Sequence, residues 1–357
     1  MENILPLLTE RVDKSLQGLL LLIGQRSSLL GLNTYVVGGL VRDIILNRVP
    51  PLKKIDIDLT VEGDSIFFAR EIYKLFGGTL KVFPQFGTAK IVLNSGITLD
   101  FSSARQDFYP FPAAMPQVQP TNNLKKDLYR RDFTINTLAF SIIPDSYGKF
   151  FDFFGGLNDL NKKLIKVLYK LSFYDDPLRI LRAIKFSQRL GFSYDDETRH
   201  LMQKAINLKL LEKVSREKLY RELELFFLEP EPSKNLKELI NLKLLAFLFP
   251  RIKNLDKKER LWLKIEELGK KFAGLIDFDL INIFYLSFFY ELKPEGISYY
   301  CDYIRLPKKR KSSLLTIIKN YPFILKNLTQ VQALEDADIY ELLSKIPGEG
   351  ILFLMAI

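Results

Sequence analysis

Residues 55–61 read IDIDLTV, and this strict alternation constrains the fold more than any other stretch. Successive side chains of a strand point to opposite faces. Ile55, Ile57 and Leu59 therefore line one face, and Asp56 and Asp58 share the other. A fold that buries the first face must carry two like charges side by side on the second. That pair fits a solvated strand face. It equally fits a hard divalent cation such as Mg2+, which takes oxygen ligands and is commonly held by one or two carboxylates together with substrate phosphates.

The sequence before this strand reads as strand, turn and helix. Residues 34–37 (TYVV) are a short apolar run, Gly38-Gly39 makes a turn, residues 41–46 (VRDIIL) look helical, and Pro50-Pro51 form a loop. A Gly-Gly turn lets backbone N–H groups approach phosphate oxygens, a helix start adds partial positive charge, and Arg42 adds a full one. Alone, this reads more readily as a tight turn with a surface arginine. Followed by a two-aspartate strand, it predicts a triphosphate site with its metals.

Residues 1–30 predict one amphipathic helix, with Leu16, Leu19, Leu20 and Ile23 apolar and a stop at Gly31. A second helix is expected from Ser65, a good cap residue, to about Phe76, ended by Gly77-Gly78. Two strands, 90–93 (KIVL) and 97–101 (ITLDF), flank an Asn94-Ser95-Gly96 hairpin turn. A long segment rich in proline (Pro110, Pro112, Pro116, Pro120) interrupts the pattern, and beyond about residue 160 the periodicity is almost wholly helical. An α/β head on an all-α remainder is the expected architecture.

What is missing narrows the chemistry. The 357 residues include one histidine, His200, and one cysteine, Cys301. His-dependent triads, His/Cys zinc cages and an internal disulfide framework are removed, and a reducing compartment is suggested. Both residues read as ordinary packing or surface positions. Lys plus Arg (52) exceed Asp plus Glu (42), and the net charge of +10 favours a polyanionic partner. No apolar run reaches the ~18–20 residues that span a bilayer. The longest, 280–290 (LINIFYLSFFY), is broken by Asn282 and Ser287. The N-terminus, MENILPLLTERVDKSLQ, lacks the pattern of a secretory signal, so a cytoplasmic protein with no membrane contact is expected. The closing apolar run ILFLMAI, with no polar tail, suggests a helical region cut short.

Three further motifs follow in order: 130–136 (RRDFTIN), 151–160 (FDFFGGLNDL) and 175–186 (DDPLRILRAIKF). Together with GGLVRD and DID they closely resemble the class II tRNA nucleotidyltransferases, a family of CCA-adding enzymes and bacterial poly(A) polymerases. The resemblance covers roughly residues 33–230. It implies an α+β fold: a nucleotidyltransferase head with a small mixed β-sheet and helices, followed by an all-α C-terminal half. The corresponding parts are an N-terminal helix (1–30), a catalytic head (31–145), a helical nucleotide-selecting neck (146–230) and an all-helical tRNA-binding body (231–357).

The resemblance also implies roles. Gly38, Gly39 and Arg42 match positions at the incoming triphosphate, and Asp56 and Asp58 match the metal-binding catalytic carboxylates. Arg131 matches a nucleotide-binding arginine, with Asn136 helping at the sugar or phosphates. Asp176, Arg179, Arg182 and Lys185 match the helix that selects the base. The family often has Glu at 175 and Arg at 185. Lys185 keeps the charge and loses the bidentate fork. Residue chemistry supports base selection independently: a carboxylate facing an exocyclic amine and a guanidinium facing a ring nitrogen accept cytosine and adenine and mispair with uracil and guanine. Three residues apart, Asp176 and Arg179 are expected on one helical face, where an intrahelical ion pair is the plainer account.

Asp100, on a strand expected in the same sheet, is a candidate third carboxylate at the primer hydroxyl or a structural residue. Residues 105–119 fall where the family has a flexible loop, and long irregular segments are often lids; a passive loop fits as well. Arg305, Lys308, Lys309, Arg310 and Lys311 would suit an RNA backbone or form a solvated face. The function implied is Mg2+-dependent, template-independent addition of CCA from CTP and ATP to the tRNA 3′ end. The alternatives are a CC-only or A-only enzyme, a poly(A) polymerase and a non-catalytic RNA-binding module. Poly(A) polymerases carry a basic GRRFR-like stretch where residues 83–93 here read FPQFGTAKIVL, and the intact Asp56 and Asp58 count against a module without activity.

Overall fold

The aspartate strand is the middle strand of a seven-stranded mixed sheet. The computed structural model describes residues 1–330 and 335–357. It divides into two compact units, Met1–Arg179 with Phe192–Leu210, and Ile180–Gly191 with Leu211–Ile357.

The first unit begins α1 (Leu5–Arg11), α2 (Lys14–Leu29), β1 (Asn33–Val37), α3 (Gly39–Ile45), β2 (Asp56–Glu62) and α4 (Ser65–Phe76). Next come β3 (Thr79–Phe83), β4 (Thr88–Val92), β5 (Thr98–Ser103), β6 (Arg105–Phe108), β7 (Gln117–Pro120) and α5 (Leu124–Tyr129). After these follow β8 (Ala139–Ser141), β9 (Phe150–Phe151), α6 (Gly156–Asn161), β10 (Leu164–Ile165) and α7 (Ser172–Asp175). The division between the units falls inside α8 (Leu178–Leu190), and β11 (Ser193–Tyr194) and α9 (Asp196–Asn207) return to the first.

The sheet order is β3-β4-β5-β2-β1-β8-β9, with β2 and β5 parallel and every other pair antiparallel. Ile57, Leu59 and Val61 of β2 are fully buried, as are Leu99 and Phe101 of β5. Phe68 of α4 meets Phe101 edge-on, with ring centroids 5.6 Å apart. Each such side chain contributes about 1.5–3 kcal/mol by leaving water. The alternation of IDIDLTV thus sets the register, because a one-residue slip would bury the aspartates.

Four local expectations are corrected. Residues 1–30 form two helices, because Asp13 accepts from Ser15 N–H and caps α2, breaking the chain after Arg11. At α4 the cap is Asp64, which accepts from Ile66 and Phe67 N–H. Residues 105–119 are not wholly irregular: β6 and β7 form an antiparallel hairpin, with Arg105 opposite Pro120. Its loop takes up Pro110, Pro112 and Pro116, and Pro120 ends a two-stranded ribbon, where proline is tolerated. β10 and β11, a short parallel pair, lie beyond residue 160 and are too brief for periodicity to show.

The second unit contains most of α8, then α10 (Arg216–Phe227), α11 (Pro232–Asn241), α12 (Leu244–Leu248), α13 (Glu259–Phe272) and α14 (Leu280–Phe289). It ends with α15 (Pro294–Tyr303), α16 (Lys308–Gln330), α17 (Asp336–Leu343) and α18 (Gly348–Ala356). All residues from Asn282 to Phe289 are buried, which explains why α14 is apolar all round. Phe284 stacks on Phe227 at 5.0 Å and Phe288 on Phe249 at 4.5 Å. Of the two polar interruptions Ser287 is satisfied, accepting from Trp262 Nε1 and donating to the Phe284 carbonyl, whereas Asn282 donates to Glu349 and its buried Oδ1 has no partner among the described residues. Among the described residues no helix is long and apolar enough to cross a membrane. The fold is α+β, a mixed-sheet head with helices followed by an all-helical C-terminal half.

Candidate active site

Gly38 ends β1 with φ +74°, a conformation that L side chains rarely adopt. Val37, its neighbour, pairs across the ladder with Asp58. A Cβ on Gly38 would lie 3.0 Å from Arg131 Nη1 and 3.3 Å from Asp58 Oδ2. The turn is therefore pressed between a carboxylate and a guanidinium. Gly39 is less constrained, since a Cβ there would meet only Arg42 Nη2 at 3.8 Å.

Asp56 is exposed and Asp58 half-buried on one face of β2. Asp100 of β5 is the ladder partner of Asp58 and holds Lys90 Nζ at 2.9 Å. Burial pushes the Asp58 carboxyl above its ordinary value. Arg131 pulls it back, Asp100 and Asp56 push it up further, and Lys90 opposes them. A site that penalises its own carboxylate and offers only oxygen donors suits a hard divalent cation. Among the described residues, no three His, Cys, Asp or Glu side chains gather as a metal cluster. The two β2 aspartates alone are fewer oxygen ligands than a hard divalent cation takes.

Arg42 is buried. Its Nη1 donates to Asn136 Oδ1 at 2.7 Å, and Asn136 Nδ2 donates to Asp132 Oδ1 at 2.9 Å. Arg42 Nε also donates to Asp43 at 2.9 Å. Arg131 Nη2 lies 3.4 Å from Thr60 Oγ1 on β2 and 3.5 Å from Asp127 Oδ2 on α5. The GGLVRD, DID and RRDFTIN motifs thus meet around one turn.

The Asp176–Arg179 pair does not share a helical face. Asp176 is extended between α7 and α8, where it accepts from Leu178 N–H at 3.1 Å. Pro177 after it disfavours a helical conformation at Asp176. The Arg179 guanidinium lies 3.8 Å from Asp176 and is buried, donating to Ser172 Oγ (2.7 Å), Tyr169 Oη (3.1 Å) and the Arg130 carbonyl (2.7 Å). In the second unit, Lys185 and Arg182 converge on Glu222, at 2.9 and 3.5 Å.

The basic cluster, also in the second unit, is not uniform. Arg310 bridges Glu224 of α10 (2.8 Å) and Asp279, the cap of α14 (3.0 Å), and Lys311 pairs with Asp302 at 2.6 Å. Arg305, Lys308 and Lys309 are exposed. Cys301 is buried and its thiol is pushed up to about 11 by that burial, while His200 is exposed.

Residues 34–166 match the family described as "Poly A polymerase head domain", and residues 191–255 match "Probable RNA and SrmB- binding site of polymerase A". A solved structure described as CCA-adding enzyme, apo form II, superimposes with a TM-score of 0.79 at 32% identity, over 99% of this chain and 82% of that one. The chain belongs to the tRNA nucleotidyltransferase family. Within that family it is 35% identical over 347 residues to the A-adding tRNA nucleotidyltransferase of Geobacter sulfurreducens, covering 94% of this chain. To the A-adding enzyme of Aquifex aeolicus it is 44% identical over 194 residues, 54% of this chain. It spans only 38% and 23% of the lengths of these two relatives. The Thermotoga maritima CCA-adding enzyme complexed with tRNA-CCA matches with a TM-score of 0.75 and 31% identity, over 99% of this chain and 81% of that one.

Sequence reasoning missed the partners of the candidate residues: Lys90 at Asp100, Asp127 and Thr60 at Arg131, Asp132 at Asn136, and Glu222 at Arg182 and Lys185. One signal was available. Asp127 stands three and four residues before Arg130 and Arg131, the spacing of neighbours on a helix.

Proposed function

We propose that this chain carries the catalytic part of a tRNA nucleotidyltransferase that adds the terminal adenosine of the CCA end, using ATP and Mg2+. The observation that carries the proposal is the meeting at Gly38 of a backbone turn with Asp58 Oδ2 and Arg131 Nη1, both within 3.3 Å of where a side chain would stand. Such a turn admits phosphate oxygens to backbone amides, with a guanidinium on one side and a carboxylate on the other. Asp56 and Asp58 would hold Mg2+, which supplies charge stabilisation for a phosphoryl group and its leaving pyrophosphate. Arg131 binds and orients the triphosphate. Arg42 and Asn136 brace the wall behind the turn. Asp100, tied to Lys90, orients or polarises the primer hydroxyl beside Asp58.

Asp176, together with Arg179, selects the base. The partner is the tRNA 3′ end, with Arg305, Lys308 and Lys309 as backbone contacts. The two A-adding relatives favour A-only addition, and one of them aligns over nearly the whole chain. Complete CCA addition from CTP and ATP is the second reading, favoured by the likeness to CCA-adding structures.

Labelled ATP or CTP, Mg2+ and tRNAs ending in the discriminator base, C or CC separate the readings. Extension only of the CC-ended tRNA, by one A, is expected. Incorporation of C on the shorter tRNAs selects the second reading, and no incorporation on any of them rejects both.

A further inference from the structure

Asp127 of α5 is fully buried, yet nothing in the proposed chemistry uses it. Its two carboxylate oxygens face different parts of the first unit. Oδ2 accepts from Thr60 Oγ1 of β2 at 3.3 Å and lies 3.5 Å from Arg131 Nη2. Oδ1 accepts from Arg130 Nε (2.9 Å) and Nη2 (2.8 Å) and from the backbone N–H of Arg105, the first residue of β6, at 3.3 Å. Asp107, also in β6, stands 3.7 Å from Arg130 and 3.2 Å from Arg105. Burial pushes the Asp127 carboxyl up, but Arg130 and Arg131, with the Arg130 and Arg105 hydrogen bonds, outweigh it and hold it below its ordinary value.

A buried carboxylate shared by two arginines is costly unless each oxygen is satisfied. Here every contact fixes an element that borders the site. The guanidinium of Arg131 is anchored at Nη2 by Asp127 and Thr60, while its Nη1 reaches the Gly38 turn. Arg130, next in sequence, is anchored by the opposite oxygen and joins the hairpin. Arg130 also offers its carbonyl to Arg179.

We infer that Asp127 is a positioning residue: it aims Arg131 at the nucleotide phosphates and ties that aim to the seating of the β6–β7 hairpin. The inference rests on the proposal that Arg131 contacts the triphosphate. A preorganised guanidinium binds phosphate without first giving up rotamer freedom. Loss of the anchor therefore weakens nucleotide binding more than the chemical step.

The test is steady-state kinetics of ATP addition to tRNA ending in CC, with thermal melting in parallel, for wild type, Asp127→Asn, Arg131→Ala and the double variant. Asp127→Asn is expected to raise KM for ATP about tenfold, with kcat and KM for tRNA within about twofold of wild type. In the Arg131→Ala background the same change is expected to have no further effect on KM. A lowered melting temperature with unchanged KM overturns the positioning role, as does a KM increase that persists without Arg131. If Asp127→Asn does not fold, Thr60→Val removes the hydroxyl shared by Asp127 and Arg131 at similar volume. About a threefold rise in KM is then expected, again absent in the Arg131→Ala background, and no rise overturns the inference. An Arg131→Ala enzyme with wild-type KM overturns the triphosphate contact itself. A raised KM in Arg131→Ala with none in Asp127→Asn overturns only the positioning role.

Discussion

Arg42 and Asn136, ninety-four positions apart in the chain, are joined by a 2.7 Å hydrogen bond from the arginine Nη1 to the asparagine Oδ1. The bond locks the helix that follows the Gly38-Gly39 turn onto the 3-10 turn that follows Arg131. Two motifs that the sequence offers separately thus become one wall of the site, and the arginine of GGLVRD acts there as a brace.

Asn136→Ala leaves the buried Arg42 Nη1 without this acceptor and removes one of two donors to Asp132 Oδ1, the other being the Phe133 N–H. A cost of about 1–3 kcal/mol in stability is expected, the usual penalty for depriving a buried charged group of a hydrogen bond. Asn136→Asp alone would set a carboxylate against Asp132, so it is paired with Asp132→Asn, which keeps the acceptor for Arg42 and restores a donor beside it; this pair is expected to be closer to wild type. Denaturant titration of the two variants checks the order, and equal losses would show that the bond carries little.

The second prediction concerns Asp58. Its carboxyl is raised by burial and by Asp100 and Asp56, so its ionised form costs folding energy. For a raised carboxyl the favourable state is the protonated one: stability is fully present below the ordinary value of 3.8 and falls as pH rises through the folded value. Asp58→Asn removes that penalty. Without divalent cations and near neutral pH, the variant should be more stable by on the order of 1 kcal/mol, with the advantage vanishing in acid. ATP incorporation should be abolished. Melting curves across pH with chelator present decide the matter; a variant less stable at every pH would contradict the electrostatic account.

Much of this was legible in the sequence because it depends on short-range periodicity. IDIDLTV fixed which face of β2 is buried, and the Asn94-Ser95-Gly96 turn located the β4–β5 hairpin. The strand partners were not legible. Asp100 lies beside Asp58 only because β2 and β5 run parallel, a pairing made through α4, β3 and β4 that no local pattern encodes. Nor was the confinement of Arg179 visible, since Tyr169, Ser172 and the Arg130 carbonyl reach it through tertiary folding. The short ladders β6–β7 and β10–β11 escaped for a different reason: two to four residues are too few to display a period.

The buried seat of Arg179 changes how base selection must be tested. Arg179→Ala deprives Tyr169, Ser172 and the Arg130 carbonyl of their donor at once, and a loss of roughly 3 kcal/mol is expected from breaking such a buried charged network. Any change in base choice would be mixed with that damage. Asp176→Asn is the cleaner variant, because an amide oxygen can still accept from Leu178 N–H while the amide nitrogen replaces an acceptor with a donor. If Asp176 reads the exocyclic amine, UTP and GTP should gain on ATP by about 1–3 kcal/mol of discrimination. Competition among the four nucleotides on one primer measures this, and unchanged preference with normal melting would remove Asp176 from base selection.

The last prediction separates two kinds of basic residue in the segment from Arg305 to Lys311. Arg310 is held by Glu224 and Asp279, and breaking that bridge leaves two carboxylates, one on α10 and one at the α14 cap, without their cation. Arg310→Ala should therefore lower the melting temperature and leave the salt dependence of tRNA binding unchanged. Arg305, Lys308 and Lys309 are exposed, so their neutralisation should cost little stability. If they touch phosphates, neutralising each one should flatten the slope of log K against log salt by roughly 0.7–0.9, because fewer counterions are released on binding. Titrating tRNA at several salt concentrations into wild type, Arg310→Ala and the triple variant at 305, 308 and 309 gives the three slopes. A triple variant with the wild-type slope would place the tRNA elsewhere, and a flattened slope in Arg310→Ala would mean that the bridge opens to the RNA.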